Sequence, residues 1–527
     1  MIKTDLVLPY GYDHDAVKTV ISERLPIKKN EIKEIRILKR ELVVKDGNAP
    51  FYKTTVAFSS ESEKENGLLK IKNRVSLFEE DLFVVKAARF DKRPIVAGAG
   101  PAGLFAALTL AESGACPIVI ERGLEVYERA KRINTFETLG ILDTECNVQF
   151  GEGGAGTYSD GKLKTGAKDK YKFKVLDEFI FGGADESILY STTAHLGTDK
   201  LPDIVKCIRE KIISLGGEFI FSAKLTDVNV KDNKLVGIMY YKDGDTIALD
   251  TDTLILAIGH SARDTIKMLK EKGLHMKAKG FGIGMRIEHP REYINKIVYR
   301  DSADIIEETA SYHLVTHLPT GRSVYSFCMC PGGEVVAATS EEGGIVTNGM
   351  SKYARMSDNS NAALLVSVTP DDFGSDDPLA GIELQRKIER TAYDLSGTYK
   401  APTIKLSSLM TNTKDAGLGL VKPSYAVGTF EASPFEYLPQ YIPESIIEAI
   451  PDFDNWLSGY YYGDAVLTGP ETRTTSPVRI ERDDDGCAPG FLGIYPTGEG
   501  AGYAGGIVSS AVDGIKMAEK SIEKHLK

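Results

Sequence analysis

Three stretches of this chain carry glycines at the spacing G-x-G-x-x-G, the pattern that cradles a dinucleotide pyrophosphate. They are Gly98, Gly100 and Gly103 in VAGAGPAGLF, Gly151, Gly153 and Gly156 in FGEGGAGTYSDGKL, and Gly500, Gly502 and Gly505 in GEGAGYAGGI. Glycines so spaced leave backbone N–H groups bare for an anion, and a following helix adds the positive end of its dipole. With 51 glycines in 527 residues, spacing alone does not choose among the three. The flanking elements do.

Around Gly98 every required element is present. PIVAGAG reads as a short apolar strand, PAGLFAALTLAESG as a helix rich in small residues, and CPIVIERG as a second strand, together a βαβ unit of about thirty residues. Gly98 permits the tight turn, Gly100 lets the backbone approach a pyrophosphate, and Gly103 lets helix and strand pack closely. Glu121 ends the second strand about 20 residues later, where a carboxylate meets ribose hydroxyls; Glu there points to FAD or NAD rather than to a 2′-phosphate. After Gly151, TYSDGKLKTG cannot start an amphipathic helix, which leaves two readings open: an anion-binding loop with Lys162 and Lys164, or a surface loop. The third match opens the last helix with no strand after it, either as a ligand-facing N-terminus or as a tight helix contact. One dinucleotide fold is supported, and a second, dedicated NAD(P) domain is not.

Composition narrows the class further. A net charge of -11 argues against a protein that grips phosphate backbones, so nucleic acid is not an expected partner. The six cysteines show no paired C-x-x-C spacing, and neither structural zinc nor a disulfide framework is expected. MIKTDLVLPYGYDHD lacks an apolar secretory core, and the longest uncharged run, 95–110, is too short to cross a bilayer. The expectation is a cytoplasmic protein with no membrane span and no metal.

Periodicity divides the chain into four segments. Residues 1–90 read as a small α+β domain, with strands in DLVLPY, IKEIRILKRELVV and YKTTVAF and a helix carrying Val17, Val20, Ile21 and Leu25 on one face. Residues 91–275 form the first part of a Rossmann-type domain. They include a helix over DKLPDIVKCIREKIISLGG, with Ile204, Val205, Ile208, Ile212 and Leu215 inward, then an antiparallel meander beginning EFIFSAKLTDVNV that returns to a buried strand near Leu254. Residues 276–485 read as an inserted, mixed α+β substrate domain with a helix from about Pro378 to Leu395, and 486–527 complete the Rossmann-type domain. The expected fold class is thus α/β, with a discontinuous dinucleotide-binding domain.

PIVAGAGPAGLFAALTLAESGACPIVIERG, TLILAIGHSARDT and GIYPTGEGAGYAGGIVSSAVDGIKMAE together resemble flavoproteins of the two-dinucleotide-binding-domain superfamily. With FGEGGAGTYSDGKL and YSFCMCPGGEVVAATSEEGGIVTNGMS, the chain is similar to the bacterial FAD-dependent dehydrogenase family of NAD(FAD)-utilizing dehydrogenases, over roughly 92–527 and more loosely before that. The resemblance implies that Gly98, Gly100, Pro101, Ala102 and Gly103 hold the pyrophosphate of FAD, and Glu121 with Arg122 the ribose and adenine side. It implies that Gly153, Gly154 and Lys162 lie along the flavin, Ala257 and Gly259 by the adenosine half, and Gly498, Glu499, Gly500 and Ala501 by the ribityl chain.

The chemistry such a protein carries is hydride or electron transfer by the cofactor, with the protein orienting a small-molecule substrate. Cys328 and Cys330 form a C-x-C that is either a redox pair or plain packing. Arg473, in PETRTTSPVRIER, either binds an anionic substrate or reduced flavin or makes a salt bridge. His313 and His317, in a stretch that reads as a strand, share a face there, and His317 could supply a proton or be a satisfied polar residue. The expected activity is an FAD-dependent oxidoreductase, with NAD(P)H as a diffusible donor. Alternatives are a flavin monooxygenase, a reductase of isoprenoid or enoate double bonds, and a flavin-bearing protein that binds a protein partner through its N-terminal domain.

Overall fold

Along Ile2–Pro9 every second side chain is buried, the signature of a strand with one face on a core. In the computed structural model, which describes residues 1–526 apart from 72–73, 80, 82, 164–169 and 414–416, this strand lies between Phe51–Phe58 and Ser76–Leu77. Ile35–Val43 completes the four-stranded sheet. The helix His14–Arg24 starts where the Asp13 carboxylate accepts from the Ala16 N–H and packs Val17 and Ile21 on the sheet, with Leu25 just past its end in the same core. The small domain ends earlier than residue 90. Ala88 already bonds to Ser113, and Phe90 stacks on His525 with ring centroids 4.1 Å apart, so the chain from about Phe83 belongs to the core that follows.

That core is a five-stranded parallel sheet in the order Ile494–Pro496, Leu254–Leu256, Ile95–Ala97, Ile118–Ile120, Glu218–Ile220. Its strands are short apolar runs because both faces are covered. On one face lie the helices Pro101–Glu112, Leu201–Ser214 and Ile507–Glu523. The other carries the meander Lys224–Lys231, Lys234–Lys242, Asp245–Asp250. Two sequence expectations change here. EFIFSAKLTDVNV is divided between the parallel sheet and the meander, with Ser222 at φ +55 in the break. Leu215 is 40% exposed, because the helix ends at Ser214 and Leu215 lies beyond its buried face.

The strands Met276–Ala278 and Val478–Ile480 pair antiparallel where the chain leaves this layer and returns to it. Between them stands a seven-stranded sheet: Val315–His317, Ser323–Cys330, Asn359–Val368, Phe281–Pro290, Val466–Glu471, Ala401–Lys405, Thr429–Glu431. Its inner strands are buried almost throughout, and Tyr441–Trp456 packs against them. Ala380–Asp394 occupies the stretch predicted as a helix from Pro378 to Leu395. Among the described residues no helix is long and apolar enough to cross a membrane.

Candidate active site

A cavity of about 410 Å³ runs from the C-terminal ends of the parallel strands to the seven-stranded sheet. Its first wall is the turn after Ile95–Ala97. Gly98 has φ +104, and a Cβ there would lie 2.3 Å from the Ala257 carbonyl oxygen; a Cβ at Gly103 would lie 1.8 Å from the Gly98 oxygen. Only glycine lets strand, turn and helix approach this closely. The helix Pro101–Glu112 therefore begins at the cavity, with Gly100 as N-cap and no side chain bonded to its first amides. The same holds at Gly506, N-cap of the terminal helix Ile507–Glu523. That helix is also pressed on the first, where a Cβ at Gly514 would meet the Ala102 oxygen at 2.1 Å, so the tight helix contact read from the third glycine stretch is present.

Glu121 is 6% exposed and lines the cavity. Its Oε1 accepts from the Gly123 and Gly151 amides at 2.9 and 3.0 Å, and its Oε2 from Ala99 at 2.8 Å. A carboxylate has about four acceptor sites, so one remains on Oε2 for a ligand hydroxyl. Beside it the Arg122 guanidinium lies 4.0 Å over the Phe150 ring and is held by Glu145 and Asp264 at 2.8 and 2.9 Å. It forms a wall, with its charge already paired.

The Gly151 loop is fastened from behind by Arg129, which is fully buried and donates to the carbonyls of Asn147, Val148, Glu152 and Gly154 at 2.7–2.9 Å. This loop lines the cavity through Gly154, Gly156 and Lys162 among others. Gly153 does not face the cavity; its amide bonds to the Ala99 oxygen at 2.8 Å and thereby ties this loop to the first glycine turn. Lys162 pairs with Asp160 at 2.8 Å and bonds to the Met329 carbonyl. Burial disfavours its charge, but the Asp160 carboxylate outweighs that and raises its pKa. Lys164 lies outside the described residues.

Of the remaining residues expected at a flavin, Pro101, Ala102, Ala257, Gly259, Glu499 and Gly500 line the cavity. Gly103, Gly498 and Ala501 sit behind them in the packing: Gly498 donates to Asp513 at 2.7 Å, and Ala501 is 1% exposed. Burial, only partly offset by Lys279, pushes the Glu499 carboxyl up to about 7.

The chemical candidates fare differently. Arg473 lines the cavity and is buried rather than on the surface. Its Nη2 and Nε bond to Glu389 at 2.8 and 3.1 Å, and Nη1 donates to Ser340 and Ser261. Cys330 does not line the cavity. A bulge in Ser323–Cys330 turns Cys328 there instead, and Cys330 is fully buried against Arg286. His317 is exposed on the edge strand Val315–His317 and bonds to Ser323 at 2.9 Å, away from the cavity; His313 precedes that strand, so the two do not share one. His260, Gln149 and Asn348 line the cavity without having been singled out in the sequence. His260 is held neutral, its pKa down to about 3 through burial and the neighbouring Arg473 and Arg263 charges. A lone polar residue in an apolar stretch carries no signal that it faces a ligand, which is why these three escaped notice.

Uncapped helix amides, a carboxylate with one free acceptor site and glycines without side chains fit a dinucleotide, and the volume suits a small-molecule site. The class defined by fold and site is a dinucleotide-binding protein. Residues 280–474 match the family model described as FAD-dependent protein, C-terminal domain-like. The chain is 45% identical over 520 residues to an uncharacterized protein of Clostridium beijerinckii, covering 97% of this chain and 96% of that one. The protein belongs to this family of FAD-dependent proteins. Weaker likenesses join it to solved structures. One is a geranylgeranyl bacteriochlorophyll reductase-like protein of Thermoplasma acidophilum, 11% identical, covering 82% of this chain and 79% of that one at TM-score 0.37. Another is 3-ketosteroid-delta4-(5alpha)-dehydrogenase of Rhodococcus jostii, 12% identical, covering 84% and 100% at TM-score 0.32.

Proposed function

We propose that the protein is an FAD-dependent oxidoreductase that holds FAD without a covalent bond and exchanges hydride or electrons with a small organic molecule, NAD(P)H serving as diffusible donor. In this reading residues 91–275 and 486–527 are a discontinuous Rossmann-type FAD-binding domain, and 276–485 cover the flavin. The observation that carries the reading is the continuity of one cavity from Gly100 and Glu121 to Cys328 and Arg473.

The amides after Gly100 would take the pyrophosphate, and the free acceptor site of Glu121 a ribose hydroxyl. The amides after Gly506, at a helix N-terminus, suit a group that gains negative charge. Bound FAD supplies the two-electron chemistry. Arg473 presents a fixed positive charge to the cavity, because Glu389 and two serines immobilise its guanidinium. Glu499, with a carboxyl near neutrality, can hold or release a proton there. The inserted domain closes the far wall and keeps water from the reacting atoms.

The test is the purified protein. It should be yellow and release FAD on denaturation, and NADH or NADPH should bleach it under anaerobic conditions. A colourless preparation that takes up no added FAD sinks the reading; bound flavin that neither nucleotide bleaches removes NAD(P)H as the donor.

A further inference from the structure

Cys328 and Cys330 stand on either side of a break in their strand. Ser323–Cys330 pairs regularly with Asn359–Val368 as far as Phe327 opposite Ala363, and the register shifts before Cys330 meets Asn361. In the break Cys328 takes φ +41, a conformation that strand residues avoid and that concentrates at functional sites. Cys328 thereby lines the cavity, with Lys162, Asn348 and Glu499 in the same lining. Two residues on, the Cys330 thiol is fully buried and donates to the Cys328 carbonyl at 3.2 Å. The two thiols are near enough for each to shift the charge of the other. The Lys162 ammonium sits on the Met329 carbonyl between them, and Arg286 bonds to the Cys328 carbonyl at 2.8 Å.

The charges around the pair separate the two sulfurs. The Cys330 S–H, Lys162 and Arg286 favour a thiolate at Cys328, against burial and the carboxylates Asp160, Glu471 and Glu499, and its pKa falls to about 5. The neighbouring Cys328 sulfur and burial push Cys330 the other way, so it keeps its proton. One thiolate at the cavity backed by one buried, protonated thiol is the arrangement of an attacking and a resolving sulfur.

We propose that Cys328 and Cys330 form a thiol–disulfide exchange site for a small organic disulfide entering the cavity, Cys328 attacking and Cys330 resolving. The Cys328 thiolate bonds to one sulfur of the disulfide and breaks its S–S bond; the departing thiolate takes the proton of Glu499 and leaves as a thiol. The Cys330 sulfur then bonds to Cys328, breaking the mixed disulfide, and its proton goes to the second departing thiolate. One external disulfide is reduced to two thiols, and the cysteine pair is oxidised to a disulfide. Return to the dithiol needs a two-electron reductant, for which reduced FAD is the group proposed above. Only that return rests on the flavoenzyme reading; the exchange does not.

The experiment mixes the protein as purified with 4,4′-dithiodipyridine at about pH 6, where an ordinary thiol is barely ionised. Mass mapping separates any reaction at the partly exposed Cys116 and Cys207 from that at Cys328. Released thiopyridone is followed by absorbance and the products by peptide mass mapping. The wild type should release two equivalents in a fast phase and end with a Cys328–Cys330 disulfide. Cys330→Ser should release one and keep a stable adduct on Cys328, and Cys328→Ser should lose the fast phase. A fast phase that survives Cys328→Ser, or a wild type that stops at a stable Cys328 adduct, overturns the proposal. Exchange by a protein that lacks FAD upholds it while removing the flavin reading; a yellow protein with no fast phase does the reverse.

Discussion

Arg473 and Glu389 form a buried ion pair, Nη2 to Oε2 at 2.8 Å and Nε to Oε1 at 3.1 Å, and Arg263 holds the same carboxylate at 2.8 Å. Arg473, which lines the cavity, and Arg263 behind it thus share one acid, with Glu341 as a second carboxylate on Arg263 at 2.7 Å. Removing one partner of such a cluster leaves buried charge uncompensated, at a cost of about 3–5 kcal/mol. Glu389→Gln should therefore lower the unfolding free energy by that order, seen as a lower urea midpoint with an unchanged slope. A loss below about 1 kcal/mol would show that water relieves the arginines.

Glycine substitutions should separate folding from cofactor binding. Gly98→Ala combines a left-handed φ with a Cβ 2.3 Å from the Ala257 oxygen, so it should impair folding itself. Gly259→Ala also has a left-handed φ, +72, but its Cβ meets no protein atom within 4 Å. It should cost about 1 kcal/mol of stability and weaken FAD binding far more than that. Thermal melts with and without added FAD distinguish the two. Equal effects of Gly259→Ala on both would place its Cβ outside the ligand's space.

Glu499 should make stability fall as pH rises. Its carboxyl in the folded chain titrates near 7, above the unfolded value of about 4.3. The protonated form therefore favours folding, in full below the unfolded value and progressively less as pH climbs through 7. Between about pH 4.5 and 7.5 the protein should lose on the order of 2 kcal/mol relative to Glu499→Gln. Parallel stability profiles for the two would contradict the assignment.

Truncation should follow the packing rather than the composition break. Removing residues 1–77 removes the Tyr10 and Tyr52 hydrogen bonds to Glu308, both 2.6 Å, yet leaves the parallel-sheet core whole. Removing 1–90 also takes away Ala88 and Phe90, which pair with Leu526 and stack on His525 just past the last helix. The shorter truncation should keep bound FAD and the longer one should lose it or melt lower, as flavin fluorescence on heating would report. Indistinguishable melts would mean that 78–90 contribute nothing to that core.

Local sequence determined what local physics determines. The turn at Gly98, the helix after it and Glu121 at the end of the next strand follow from residue types within a short span, because steric contact, dipole and strand length act there. The same holds for the helices whose apolar faces repeat every third or fourth residue. Tertiary structure decided which of these elements share a cavity. Gly153 turns out to tie two loops together, Arg129 to fasten the Gly151 loop from a helix many residues away, and Glu389 to set Arg473, which sequence alone left between salt bridge and site. Cys328 rather than Cys330 faces the cavity because a register shift against Asn359–Val368 rotates the strand, and such a shift exists only once the two strands are paired. Spacing along the chain carries no information about that partner, so the cavity's chemical end became visible only in the fold.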